Sequence, residues 1–431
     1  MGQVLFGIWA LLLGVVLIML GNGMHFTLMG VRGGIEGFSA AELAIVTSGY
    51  FVGFLSGARF TPRLIRRVGH VRTFAALGSF ISAALIAFPI LTDPWSWTGL
   101  RILIGFCMSG VYVTAESWLN DAATNETRGK VLSAYMLAQT LGIIGAQGLL
   151  TLGDPATSAL FIAASILVSV SFSPILLSVG PVPAAAEVRP MGLGTLFRTS
   201  PLGTVGIFLL GAAYATQTGM SAVFGAQIGL SVSQIALFVA TLFAGALVLQ
   251  YPIGWMSDRY DRRRVILGAA VLGALACLAG WVTGGGFWAL TIAAFFAGGV
   301  TTPLYALFLA YTNDYLEPED MAAASGGLVF TFGLGAIVGP LTAGFAMEQF
   351  GPFGFWPALG ACFAAIAGYA LFRMTQRPPT PVDETESYVG LLPTASPVAA
   401  EAAGVWASDH AEAEAEAAAE GAEAEDAGAA S

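Results

Sequence analysis

Twelve times along this 431-residue chain an apolar run of about twenty residues recurs, separated by short spacers. The runs cover about 4–29, 40–61, 73–92, 97–119, 131–152, 156–178, 201–226, 232–256, 264–283, 287–311, 323–347 and 353–374. A hydrocarbon core of about 30 Å takes ~20 residues of helix to cross. In such a core every backbone N–H and C=O must be satisfied inside the segment or by a closed barrel. The runs are continuous and far longer than the ~10 residues of a barrel strand, so they predict helices. The expected fold class is all-α, a polytopic membrane protein with twelve transmembrane helices.

Composition narrows the field further. Only 10% of positions are charged, against about 25% in soluble domains, which excludes a soluble enzyme. Cys107, Cys277 and Cys362 are odd in number and lie inside apolar runs, so no disulfide framework is implied. No basic patch suits nucleic acid, and no P-loop, HExxH or nucleophile elbow occurs. The first run lacks a charged flank and is too long for a signal peptide, so it reads as a span. The formal net charge of −10 is uneven: residues 1–374 carry +1 and residues 375–431 carry −11. That acidic, Ala/Glu-rich tail has few apolar anchors and is expected to stay solvated and disordered.

Basic residues orient the chain. Fifteen of the seventeen fall on one side if the even-numbered loops share it; Arg32 and Arg101 are the exceptions. Lys and Arg concentrate in cytoplasmic loops, so both termini are expected in the cytoplasm, in a plasma or inner membrane.

The chain also repeats itself. Gly37-Phe38-Ser39 with Glu42 recurs 192 residues later as Gly229-Leu230-Ser231 with Gln234, and both are capping boxes. At an offset of 193, Gly105, Tyr112, Asn120, Asp121 and Gly142 match Gly298, Tyr305, Asn313, Asp314 and Gly335. The expected organisation is a six-helix half over 1–178, a cytoplasmic linker over 179–200, a second half over 201–374 and the tail over 375–431.

Against this background the loop Gly254-Trp255-Met256-Ser257-Asp258-Arg259-Tyr260-Asp261-Arg262-Arg263 resembles the G-x-x-x-D-R-x-G-R-R signature of the major facilitator superfamily, with Asp261 where the second glycine is usual. The first-half copy, Pro62 to Arg72, keeps Arg67 and Gly69 but has Arg66 in place of the Asp. Arg101-x-x-x-Gly105 resembles a further family signature, and Gly335-x-x-x-Gly339-Pro340 resembles a glycine-proline motif of antiporters. The resemblance spans about residues 4–374. It implies a twelve-helix secondary transporter whose cytoplasmic gate motif comprises Arg67, Gly69, Gly254, Asp258, Arg259 and Arg262.

Ionisable and polar groups inside spans mark a pathway by default. On the fourth span Gly105, Met108, Tyr112 and Glu116 lie within about 60° of Arg101 at ~100° per residue, and Arg101 and Glu116 are ~22 Å apart along the axis. Asn22 and His25 on the first span correspond to Tyr214 and Gln217 on the seventh. Gln139 on the fifth span and Thr301 and Tyr305 on the tenth complete the candidate cavity, at the repeat interface where such transporters place their site. Glu116 or His25 is the candidate coupling group, because a site that alternates between surroundings can load and unload a proton. Arg101 is the candidate for orienting a polar or anionic part of the cargo.

The expected function is secondary active transport of a small polar or organic solute by alternating access, coupled to protons, with no enzyme activity, cofactor or metal. The alternatives are a passive facilitator of the same fold and a non-transporting scaffold or sensor. The partners are the solute, protons and the bilayer; a monomer is expected, with no obligate protein partner.

Overall fold

The computed structural model describes residues 2–177, 190–284, 286–376, 381, 388–396, 398–399 and 402–403. Among these lie fourteen α-helices. The first half contains α1 (Gly2–Ile35), α2 (Ala40–Val68), α3 (His70–Ala87), α4 (Pro94–Ala122), α5 (Asn125–Leu150), α6 (Ala159–Ser171) and α7 (Ser173–Leu177). A short α8 (Leu193–Thr199) leads into the second: α9 (Pro201–Gln227), α10 (Val232–Ser257), α11 (Arg262–Val282), α12 (Phe287–Asn313), α13 (Pro318–Phe350) and α14 (Phe355–Met374). Ten of them are long and apolar enough to cross a membrane. The other two expected spans correspond to α5, a 26-residue helix, and to α6 continued by α7. Most of the stretch between α7 and α8 falls outside the described residues.

Local sequence explains the helix boundaries. Ser39 accepts from the Glu42 N–H while the Glu42 carboxylate accepts from the Ser39 N–H, and Ser231 with Gln234 repeats the arrangement. The starts of α3 and α11 show two solutions to one problem. Gly69 turns the chain at φ +86°, a left-handed conformation open to glycine. Asp261, at the matching position, has φ −48° and caps α11 by accepting the Arg263 N–H through its side chain. The departure from the glycine signature is therefore a substitution of one cap for another.

Packing carries the repeat into three dimensions. α2 lies on α4 as α10 lies on α12, and α1 on α5 as α9 on α13. Glycine permits each approach. A Cβ on Gly53 would lie 1.9 Å from the Ile102 carbonyl oxygen, and one on Gly245 would lie 2.0 Å from that of Phe295. On Gly105 it would lie 1.9 Å from the Tyr50 oxygen. Small residues at such crossings let backbones meet where lipid offers no hydrophobic drive to associate.

The halves touch at one end, that of the α1–α2 and α9–α10 turns. There α1 meets α9 and α2 meets α13. A Cβ on Gly30 would fall 2.8 Å from Ala222 Cβ, and one on Gly344 would fall 2.5 Å from Ala44 Cβ. The Ala41 N–H donates to Glu348 Oε1 at 3.1 Å, and Ser48 Oγ donates to the Ile337 carbonyl at 2.8 Å. The opposite end carries the basic loops.

The tail departs from expectation. Between Glu386 and Glu401 the chain has no charged residue, and this stretch does not remain in solvent. Leu391, Ala395, Ser396, Ala399, Ala402 and Ala403 are buried. The reason is local composition: an apolar island stands inside an acidic tail, and the tail's average conceals it. The strongly acidic stretch from 404 onward lies outside the described residues.

Candidate functional site

A cavity lies between the halves, walled by α1, α2, α4 and α5 on one side and by α9 and α10 on the other. Of the residues expected there, Asn22, Tyr112 and Tyr214 line it. So do Thr27, Gln147, Phe26, Tyr50 and Thr218, which sequence reasoning passed over. Thr27 Oγ1 donates to Gln147 Oε1 at 2.9 Å, a buried polar pair linking α1 to α5. Gln147 carried the same signal as Gln139, an amide inside an apolar helix. The remaining cavity measures about 50 Å³, room for a few waters at ~10–15 Å³ each.

Arg101 stands behind this wall rather than on it. Its guanidinium carbon lies 3.9 Å from the Phe26 ring centroid and 4.6 Å from that of Tyr50. Nη1 is 3.5 Å from His25 Nδ1, a geometry in which arginine donates. Nε and Nη2 have no hydrogen-bond partner among the described residues, and the side chain is fully buried. A desolvated cation over an aromatic face gains about 2 kcal/mol, so the two rings offset part of the burial. His25 is itself enclosed, edge-on to Phe88 at 4.5 Å and to Phe161 at 6.0 Å. Both therefore sit one layer away from the cavity surface.

The second half brings two expected residues together. Thr301 Oγ1 donates to Gln217 Oε1 at 3.0 Å, joining α12 to α9. Tyr305 packs edge-on to Phe332 at 5.4 Å, and Phe332 in turn meets Tyr214 at 5.6 Å. Gln139 is buried with Oε1 unpartnered. These four form the shell behind the cavity lining.

Glu116 lies one turn along α4 from the cavity-lining Tyr112 and is buried. Tyr135 donates its hydroxyl to Oε1 at 2.9 Å, and the Ser396 backbone N–H donates to Oε2 at 2.7 Å. No arginine or lysine is among these partners. The fourth-span stripe thus serves two purposes. Arg101 and Gly105 face α2, while Tyr112 and Glu116 face the space between the halves.

The loop motif divides its charges. Arg262 Nη1 lies 2.6 and 2.7 Å from the two oxygens of Asp314, and Nε donates to Ser257 Oγ at 3.1 Å. Asp314 matches Asp121 in the repeat. Arg259 lies 4.5 Å over the Trp255 ring. Asp258 accepts the Tyr388 backbone N–H at 2.8 Å, so the motif's leading acid is engaged with the tail. Arg67 is exposed.

The sequence profile of the Major Facilitator Superfamily matches residues 11–227 and again 203–406. An uncharacterised MFS-type transporter of Yersinia enterocolitica is 27% identical over 77% of this chain and 84% of its own length. One of Enterobacter sp. is 27% identical over 86% of this chain and 97% of its own. Among solved structures, the nucleoside transporter NupG superposes with a TM-score of 0.72 at 14% identity, covering 84% of this chain and 98% of that one. A bacterial homologue of the human lysosomal transporter Spinster, inward-facing and unoccupied, gives 0.64 at 17% identity over 93% and 97%. Likeness at this level of identity establishes the fold alone.

Proposed function

The chain belongs to the major facilitator superfamily, and from that premise we propose that it is a proton-coupled secondary active transporter of a small polar or organic solute. It is a multi-pass membrane transporter and not an enzyme. The basic loops share the end at which α1 begins and α14 finishes, so the positive-inside rule points to that end as the cytoplasmic one, in a plasma or inner membrane. The conformation is then closed outside and parted inside. Alternation requires the contacts at Gly30, Ala41 and Gly344 to open while the basic ends close, with the two halves moving as rigid bodies around the central cavity.

One observation carries the coupling assignment: Glu116, one turn along α4 from the cavity-lining Tyr112, is a buried carboxylate with hydroxyl and amide donors and, among the described residues, no cationic partner. Its surroundings must change as the halves rock, because Ser396 and the α4–α10 space lie at the end that closes. A carboxyl group whose neighbours alternate takes up a proton in one state and releases it in the other. His25 is less suited, since it does not line the cavity and is enclosed by Phe88, Phe161 and Arg101. Arg101 biases the wall towards electron-rich groups through Phe26 and Tyr50 rather than by direct contact. Aromatic and amide side chains on the remaining wall suit a neutral or anionic solute with several hydrogen-bonding groups. NupG is a nucleoside transporter, and a D-xylose-proton symporter also shares the fold; a solute of that polarity matches the groups on this wall.

The test uses purified full-length protein in liposomes, with a solute found by thermal stabilisation, since a ligand raises stability by RT ln(1 + [L]/Kd). Glu116→Gln is expected to keep solute exchange at equal concentrations and to lose accumulation driven by an imposed proton gradient. Undiminished accumulation by the variant would sink the coupling role. A wild-type protein that exchanges solute but never accumulates it would make the chain a facilitator.

A further inference from the structure

The stretch 388–396 occupies the space between the two halves at the basic end. Tyr388 lies against Gly254, where a Cβ would come within 2.6 Å of its ring, and Gly390 lies against the Gln250 amide. Leu391 is 2% exposed and Ser396 4%. Thr394 lines the central cavity together with Tyr112. The contacts bridge the halves: Ser396 N–H binds Glu116 on α4, and Tyr388 N–H binds Asp258 at the end of α10. Two separate observations agree with this seating. The longest stretch of the tail without charge, from 387 to 400, contains the segment that enters. The room left beside it, about 50 Å³, admits water but no organic solute.

We propose that residues 388–396 are a tethered plug, an intramolecular ligand that competes with solute for the cavity and with the proton for Glu116. The proposal rests on reading the cavity as the transport site. A segment bonded to α4 and α10 at once is a wedge: the basic ends cannot come together until it withdraws, so it arrests the cycle as well as filling the site. Being covalently attached, it acts at a high effective concentration, in the millimolar range for a short tether, so weak contacts suffice to hold it. Anything that binds the withdrawn segment would release the transporter.

The test needs no cargo. Thr218→Cys places a thiol on the cavity wall of the full-length protein, and its reaction with a maleimide in detergent is followed peptide by peptide by mass spectrometry, which separates it from the three native cysteines. Two further backgrounds are compared: the chain ended after Gln376, and the full chain carrying Leu391→Glu with Ser396→Pro, which removes the apolar anchor and the N–H to Glu116. Labelling is expected to be at least tenfold faster in both. A synthetic peptide of residues 388–396 at millimolar concentration should slow the truncated chain again. A change under threefold in both backgrounds would overturn the plug. Because the readout is accessibility, its failure is distinct from a failure of Glu116→Gln to alter proton-driven accumulation.

Discussion

Removing the Asp314 carboxylate should expose how the basic end of the second half is held. Arg262 Nη1 contacts both Asp314 oxygens at 2.6 and 2.7 Å, and the two side chains are 2% and 3% exposed. Unit charges about 3 Å apart attract by roughly 5–6 kcal/mol at an effective dielectric of ~20. Desolvation of each ion opposes this by several kcal/mol, so the intact pair is nearly balanced, while deleting one partner strands the other at about 3–5 kcal/mol. Asp314→Ala is therefore expected to lose up to about 3–5 kcal/mol, less to the extent that Ser257 and the other partners of Arg262 still hold the guanidinium. Arg262→Met combined with Asp314→Leu removes both charges and should recover most of that loss. Unfolding in mixed micelles by titration with a denaturing detergent, followed by tryptophan fluorescence, measures both. The reasoning fails if Asp314→Ala stays within about 1 kcal/mol of the parent, or if the double variant is no better than the single one.

Two positions on one helix should respond oppositely to the same substitution. Gly105→Ala forces a Cβ to 1.9 Å from the Tyr50 carbonyl oxygen and should destabilise by about 1–3 kcal/mol or more through overpacking. Gly99→Ala meets nothing within 4 Å and should stabilise by up to ~1 kcal/mol through helix propensity; equal effects in thermal unfolding would contradict the α2–α4 approach. Asp261 supplies a pH dependence. Burial opposes its ionisation, but hydrogen bonds from the Arg263 side chain and backbone N–H, with the charges of Arg263 and Arg264, outweigh it and hold its pKa below the usual carboxylate value. A depressed folded pKa contributes stability that is present above the unfolded value of ~3.9 and is lost as pH falls through the folded one. The gap in unfolding temperature between the parent and Asp261→Asn should be widest above about pH 5 and close below ~4; a gap independent of pH would refute this.

Helix number, order and repeat were legible because they depend on one-dimensional quantities. A bilayer sets the run length, and duplication preserves spacing, so Ser39 and Ser231 both open helices with capping boxes in the structure. Charge asymmetry between the loops was legible for the same reason. Polar residues inside apolar runs could be found but not ranked. Asn22, Tyr112 and Tyr214 reach the cavity, whereas Arg101 stands behind the Phe26 and Tyr50 rings of other helices and His25 is enclosed by Phe88 and Phe161. Helical periodicity gives a residue's direction around its own axis and says nothing of what the neighbouring helix inserts in front of it. Gln147 carried the same signal as Gln139, but its pairing with Thr27 across α1 and α5 joins positions 120 residues apart in sequence and shows only in the fold.

The tail shows the division most plainly. Composition summed over 375–431 describes an acidic, solvated arm, and the uncharged stretch inside it was visible to a narrower window. Where that stretch goes could not be read from the chain. Its seat consists of Glu116, Asp258, Gly254 and Tyr112, contributed by α4 and α10, and it exists only because the halves part at the basic end while packing closely at the other. Sequence alone determined that this protein lives in a membrane as two related helical halves, since run length, charge placement and spacing are properties of the chain itself. Tertiary structure alone decided what fills the space between them, because a cavity belongs to no single helix.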